Sequence, residues 1–112
     1  MNLYLVVSEP LSKIVYEDWF NQAGHEETYR LAELVVARNY SQARWLVWEL
    51  EDTFGGDIVN MPRFAVRKKV ADIEGPAQIL NTAECQEFYK AYPKVDFWAL
   101  GDAEHIGIRE VA

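Results

Sequence analysis

The fold is decided by residues 31–54, LAELVVARNYSQARWLVWELEDTF, where an apolar strand pattern leads directly into a helix pattern. The apolar residues at 31 and 34–37 predict a strand that is partly or fully buried. Asn39 is placed to cap the following helix, with Gln42 three residues later as its partner in a capping box. One face of that helix is apolar and comprises Ala43, Leu46, Val47, Leu50 and Phe54. The stretch therefore predicts a strand over 29–38 followed by a helix over 40–54.

The chain before this stretch predicts one clear strand and one ambiguous segment. Residues 3–8 form a short apolar run ahead of Pro10, which is typical of a central strand. Residues 13–20 fit either a second strand or one or two helical turns. Residues 21–28 are polar, contain Gly24 and predict a loop.

The chain after this stretch predicts three strands and a second helix. A glycine pair at 55–56 ends the first helix, and a strand over 63–70 follows Pro62. In that strand Phe64, Val66, Lys68 and Val70 are expected on one face and Arg63, Ala65, Arg67 and Lys69 on the other. Asn81 and Glu84 form a second capping box, whose helix stops at Pro93. Two short strands are predicted over 95–100 and 106–111.

This order of elements predicts an α+β fold in a single domain spanning residues 1–112. The first strands have no helix between them, so the sheet is expected to be mixed and mostly antiparallel, with four or five strands. The two helices are expected to pack on one face of it. The strand–helix–strand unit over 29–70 can supply one parallel pair.

Composition excludes several functional classes. The net charge of −7 disfavours direct binding of nucleic acid, which depends on Lys and Arg, and is compatible with docking on a basic surface. No apolar run is long enough to span a bilayer, and no signal peptide is visible. A single cysteine, Cys85, permits no internal disulfide and fits a reducing compartment. The expected location is the cytoplasm.

No catalytic, metal or cofactor pattern is present in the sequence. Cys85 falls on the inner face of the second helix, which favours a buried, inert thiol over a nucleophile. His25 and His105 are isolated and lack the spacing of metal ligands. The only glycine pair follows a helix instead of opening one, so it is not a phosphate-binding loop. We therefore expect no catalytic residues, no metal and no cofactor, and favour a protein that is not an enzyme.

The basic strand over 63–69 has two interpretations. Its four positive charges, interleaved with Phe64, would suit a surface that faces nucleic acid. Alternatively, charge protects an edge strand against pairing with other chains. The acidic balance of the chain favours the edge strand.

Aromatic residues provide the candidate binding site. Trp45 and Trp48 flank the apolar stripe of the first helix and either widen its buried face or form an exposed patch. Trp19 and Phe20 lie among carboxylates in a predicted loop, which suits either a protein-docking surface or a wall of a small-ligand pocket. The predicted partner-binding residues are Glu17, Asp18, Trp19, Phe20, Glu26, Glu27, Trp45 and Trp48.

Residues 35–46, VVARNYSQARWL, resemble a pattern in small phage and prophage proteins. In those proteins a strand ending Val-Val-Ala leads to a polar cap and a helix that begins Ala-Arg-aromatic-Leu. The resemblance implies an origin in a mobile element and the cytoplasm of a host cell as the location. Some small acidic phage proteins inhibit host defence machinery by covering nucleic-acid-binding surfaces, as anti-CRISPR proteins do.

The leading hypothesis is a non-enzymatic acidic protein that docks on and inhibits a host protein with a basic surface, such as a nucleic-acid-handling defence complex. The alternative is a protein that binds or sequesters a small ligand, such as a nucleotide, by aromatic stacking. An enzyme of another kind, an auxiliary subunit and an oligomer that pairs through its edges also remain open. The sequence does not fix the oligomeric state or the identity of the partner.

Overall fold

The computed structural model describes residues 1–15, 24–54 and 61–100, with the backbone alone described for residues 13, 15 and 51–54. The described residues form six strands and two helices. The strands are β1 (Asn2–Ser8), β2 (Leu11–Val15), β3 (His25–Tyr29), β4 (Ala32–Ala37), β5 (Phe64–Val70) and β6 (Gln78–Ile79). The helices are α1 (Tyr40–Phe54) and α2 (Thr82–Ala91). No helix in these residues is long and apolar enough to cross a membrane.

The strands that the structure describes form two antiparallel sheets. The larger has the order β5-β1-β4-β6, and β2 pairs with β3 in a separate two-stranded sheet. This arrangement confirms the predicted α+β class with a largely antiparallel sheet. The parallel pair anticipated over 29–70 is not formed, because β1 lies between β4 and β5 and pairs antiparallel with both.

The two helices pack on opposite faces of the larger sheet, whereas both were predicted on one face. Alternate residues of β1 explain the difference, since Leu3 and Leu5 belong to one buried cluster and Tyr4 and Val6 to another. The first cluster contains Cys85 of α2, and the second contains residues 43 and 47 of α1. Because β1 and β4 are apolar on both faces, each face needs its own cover.

Strand β5 does not alternate uniformly. Its register against β1 shifts between residues 3 and 4, where Leu3 pairs with Val70 and Tyr4 pairs with Lys68. The extra residue, Lys69, is a β-bulge that moves Val70 to the face covered by α2. The prediction that Val70 shares a face with Phe64 and Val66 is therefore wrong.

Both predicted helix caps are present. The side chain of Asn39 accepts from the backbone N–H of Gln42 at 2.8 Å, while the Gln42 side chain accepts from the N–H of Arg38 rather than from that of Asn39. At α2 the box is complete, because Asn81 accepts from the N–H of Glu84 and Glu84 accepts from the N–H of Asn81. The local sequence was sufficient to place both helix starts.

Two predicted elements differ from the structure, and two further predictions fall outside the described residues. Residues 25–28 belong to a strand and not to a loop, since their backbone pairs with β2. Residues 95–100 form an irregular segment with a turn at 97–98 instead of a strand, and the two-residue strand β6 was not predicted. The glycine pair at 55–56 and the strand over 106–111 lie outside the described residues.

Candidate functional site

The two-stranded sheet is a hairpin that continues from the paired ends of β1 and β4. We call its described residues, 11–15 and 25–29, the hairpin arm. At the junction the N–H of Ser8 donates to the carbonyl of Leu31, and the N–H of Leu31 donates to the Ser8 hydroxyl, both at 2.8 Å. Pro10 follows, which has no N–H to continue the ladder. The pairing of β1 with β4 therefore ends at this junction, and β2 and β3 form a separate sheet beyond it.

The arm is exposed to solvent. Residues 25–28 of β3 are all exposed, and so are Ser12 and Ile14 of β2. Ile14 has 57% of its surface exposed, the highest fraction among the large hydrophobic residues with described side chains. An isoleucine in this position has no role in either buried cluster. Sequence reasoning missed it, although Ile14 directly follows the polar residues Ser12 and Lys13.

The register of the arm places its two carboxylates on opposite faces. Glu26 pairs with Ile14 and Glu27 pairs with Lys13, and neighbouring residues of a strand point to opposite faces. On the Glu27 face, the carboxylate lies 3.0 Å from Nε2 of His25. The other face presents Glu26 beside the exposed Ile14. The predicted acidic surface is therefore divided, and the Glu26 face combines an acidic group with an apolar one.

Four of the predicted binding residues, Glu17, Asp18, Trp19 and Phe20, lie outside the described residues, in the segment between β2 and β3. Their place in the chain connects them to the arm. Glu26 and Glu27 lie on the arm itself.

The two tryptophans of α1 have different environments. Trp48 is half-buried and packs against the cluster formed by β1, β4 and β5, so it widens the buried face of the helix. Trp45 is 51% exposed. Both belong to α1, which packs on the larger sheet, whereas Glu26 and Glu27 belong to the arm. The predicted site thus divides between two elements.

The basic strand is at an edge of the larger sheet. β5 pairs with β1 on one side, and the described strands leave its other side unpaired. Arg63, just before it, forms an ion pair with Glu9 at 2.6 Å. Lys69 donates a hydrogen bond to the carbonyl of Ala99. These positions match the interpretation of charges that protect an edge strand.

Cys85 lies on the buried inner face of α2, as predicted. Burial raises the pKa of its thiol; a hydrogen bond with Tyr89 acts in the opposite direction, and the nearby Glu33 and Glu84 carboxylates add to the rise. Since the thiolate is the reactive form, this environment disfavours nucleophilic chemistry at Cys85.

Two clefts flank α2, one along its N-terminal half and one at its C-terminal end, a feature that the sequence did not reveal. One has a volume of about 270 Å³ and the other about 230 Å³, and Tyr89 and Trp98 line both. Because a strand was predicted over 95–100, a cleft between these residues and α2 was not expected. A signal was present in the aromatic residues that surround the helix stop at Pro93.

No group of three or more His, Cys, Asp or Glu residues within 1–15, 24–54 and 61–100 is arranged to hold a metal ion. Comparison of the chain with family models, curated proteins and solved structures gives no match. The functional argument therefore rests on the geometry of the arm and of the clefts.

Proposed function

We propose that this chain is a non-enzymatic protein-binding domain that docks through its hairpin arm on a basic surface of another protein. The observation that supports it is the face of the arm on which the exposed Ile14 lies opposite Glu26. A protein partner whose surface is basic and partly apolar would contact both groups, the carboxylate through its charge and the isoleucine through its apolar part.

The physical state of the arm favours binding. A two-stranded hairpin by itself is marginally stable in water, and it leaves both outer edges open to pairing. Residues 11–15 and 25–29 make their strand pairs with each other, outside the larger sheet. Contact with a partner would bury Ile14 and add hydrogen bonds at an edge that the described strands leave unpaired. Such an element is better explained by binding than by the demands of the core.

Charge narrows the class of partner. With a net charge of −7, the chain is attracted to basic surfaces and repelled by nucleic acid. Proteins that handle nucleic acids carry basic grooves for the phosphate backbone. We propose that the partner is such a protein of a host cell, and that the chain inhibits it by covering the groove. The resemblance to phage proteins is compatible with this role.

The test is capture from bacterial lysate by three tagged proteins at low and high salt. The first is the wild type, the second carries Glu26→Lys and Glu27→Lys, and the third carries Glu74→Lys and Glu87→Lys. The third is the matched control, because Glu74 and Glu87 are also exposed and the change in net charge is the same. We expect the wild type and the control to retain a nucleic-acid-handling protein that the arm variant loses. High salt should weaken its capture.

Two further variants locate the contact. Ile14→Ser removes the apolar anchor without changing the charge, and reversal of Glu17 and Asp18 tests the segment between the strands. We expect Ile14→Ser to reduce capture as strongly as the reversal of Glu26 and Glu27. Equal capture by all the proteins, at both salt concentrations, would show that the arm is not the docking site.

A further inference from the structure

The larger cleft beside α2 is built from aromatic rings. It lies where the helix ends and the chain turns back, and seven residues line it. They are Tyr89, Tyr92, Pro93, Val95, Asp96, Phe97 and Trp98. Its volume of about 270 Å³ falls just below the usual range for drug-sized ligands, so it suits a small molecule.

The rings of the cleft are held in place by contacts with one another and with Phe88. The indole N–H of Trp98 donates to the hydroxyl of Tyr89. The ring of Tyr89 packs against that of Phe97 at 5.2 Å between centroids, and the ring of Tyr92 stacks on Phe88 at 6.2 Å. Trp98 nevertheless keeps 50% of its surface exposed, and Tyr92 is also exposed. Because these rings are already fixed in place, they lose little conformational entropy when a ligand binds to them.

The charge at the cleft is acidic. Asp96 is the charged residue in its lining, and Oδ1 of its carboxylate accepts from the backbone N–H groups of Trp98 and Ala99 at 3.2 Å each. Glu33 lines the neighbouring cleft on the other side of Tyr89 and Trp98. Lys69 interacts electrostatically with Asp96 but does not line the cleft, so it offsets part of the negative field. A phosphate would find no cationic side chain in this lining.

We propose that this aromatic cleft binds a free organic cation, a quaternary ammonium compound of about the size of choline. Aromatic faces attract such cations through their quadrupoles, and tryptophan does so most strongly. The cleft supplies Trp98 and two tyrosines for this contact and Asp96 for the opposite charge. The site uses α2 and the residues after it, so it is separate from the hairpin arm and goes beyond the docking function.

The test uses choline and its neutral isostere 3,3-dimethylbutan-1-ol as probes. Each is titrated into the ¹⁵N-labelled protein while the indole N–H signals are followed by NMR. We expect choline to shift the Trp98 signal saturably and to bind about fivefold tighter than the isostere, the ratio supplied by a cation–π contact at a half-exposed ring. Equal affinity for the two probes, or no saturable shift at millimolar choline, would overturn the proposal.

Variants assign the site to the cleft. We expect Trp98→Ala to abolish choline binding. Asp96→Asn should weaken binding only partially, because it removes the negative charge while its amide oxygen can still accept the two backbone hydrogen bonds. Trp45→Ala is the matched control, since Trp45 is exposed to the same extent but belongs to α1 and does not line the cleft. In the Trp98→Ala protein the signals of the core amides show whether the fold is retained. Unchanged choline affinity in a folded Trp98→Ala protein would refute the assignment.

A protein-borne cation is a distinct outcome. An acetylated trimethyllysine amide carries the same headgroup on a protein-like stem. Since the cleft is small, we expect this probe to bind no more tightly than choline. Binding that is tenfold tighter than that of choline would overturn the assignment to a free ligand and point to a methylated protein instead.

Discussion

At the scale of single residues, Ser8 joins the larger sheet to the hairpin arm. Its side chain is buried, and its hydroxyl accepts from the N–H of Leu31 and donates to the carbonyl of Glu9. We expect Ser8→Ala to reduce the free energy of unfolding by about 1–3 kcal/mol, because the partly buried N–H of Leu31 loses its acceptor. Urea denaturation measures the change. Ser12→Ala, at an exposed position of β2, is the control, and an equal effect of the two substitutions would contradict the role of Ser8.

Glu33 makes stability depend on pH at the same scale. Burial raises the pKa of its carboxyl above the ordinary value of 4.5. A group whose pKa is raised by folding contributes stability below the unfolded-state pKa and loses it as pH rises through the folded-state pKa. At neutral pH the charged Glu33 is therefore a cost to the fold. We expect Glu33→Gln to be more stable than the wild type at neutral pH, by a difference that shrinks as pH falls through the raised folded-state pKa and is smallest below 4.5.

Urea denaturation at neutral pH and at a pH below 4.5 checks this expectation. Glu87→Gln is the control, because it makes the same change in net charge at an exposed position of α2. A gain in stability that is equal for the two substitutions would assign the effect to overall charge, and a gain for Glu33→Gln that persists at low pH would exclude titration of Glu33 as its cause.

At the scale of elements, the capping box of α2 is the best-defined helix start. Asn81→Ala removes the acceptor for the N–H of Glu84, and we expect a loss of about 1 kcal/mol in the free energy of unfolding. Asn81→Asp keeps an acceptor at the same position and should leave stability almost unchanged. Thermal and urea denaturation of the two variants measure the difference. If both lose stability equally, the cap does not act through this hydrogen bond.

The elements also show what the sequence can predict and what it cannot. The start of α2 was predictable because a capping box is a local pattern of four residues, 81–84, that satisfies backbone groups whatever the rest of the fold is. The strand β3 was not, because residues 25–28 have the composition of a loop and are strand only through pairing with β2. The face occupied by Val70 depends on a bulge that forms only against β1.

In the candidate sites, too, the local sequence predicted some features, while others depend on contacts between elements. That Trp48 is half-buried and Trp45 exposed depends on how α1 lies on the sheet, which the helix spacing alone does not specify. The aromatic cleft brings α2 together with the turns that follow it, and no periodic pattern marks such a junction. The acidic character of the arm was visible, but the separation of Glu26 from Glu27 required the strand register.

At the scale of the whole molecule, the larger sheet with its two helices forms the core, and the hairpin arm is an addition to it. The two buried clusters draw their residues from β1, β4, β5, both helices and the adjoining segments, and among the described residues they include none from β2 or β3. Each cluster covers one face of the same sheet. The described core therefore does not depend on contacts with the arm.

This division is testable by deletion of the arm. Residues 9–30 are replaced by Asn-Gly, which connects Ser8 directly to Leu31 as a two-residue hairpin between antiparallel strands. We expect the shortened protein to keep its cooperative unfolding and its choline binding while it loses capture of the partner. The lost ion pair of Arg63 with Glu9 is exposed and worth about 0–1 kcal/mol. Circular dichroism with thermal denaturation measures whether the fold is kept. Loss of the cooperative transition would show that residues 9–30 contribute to the core. Retained capture of the partner would show that the docking surface lies elsewhere.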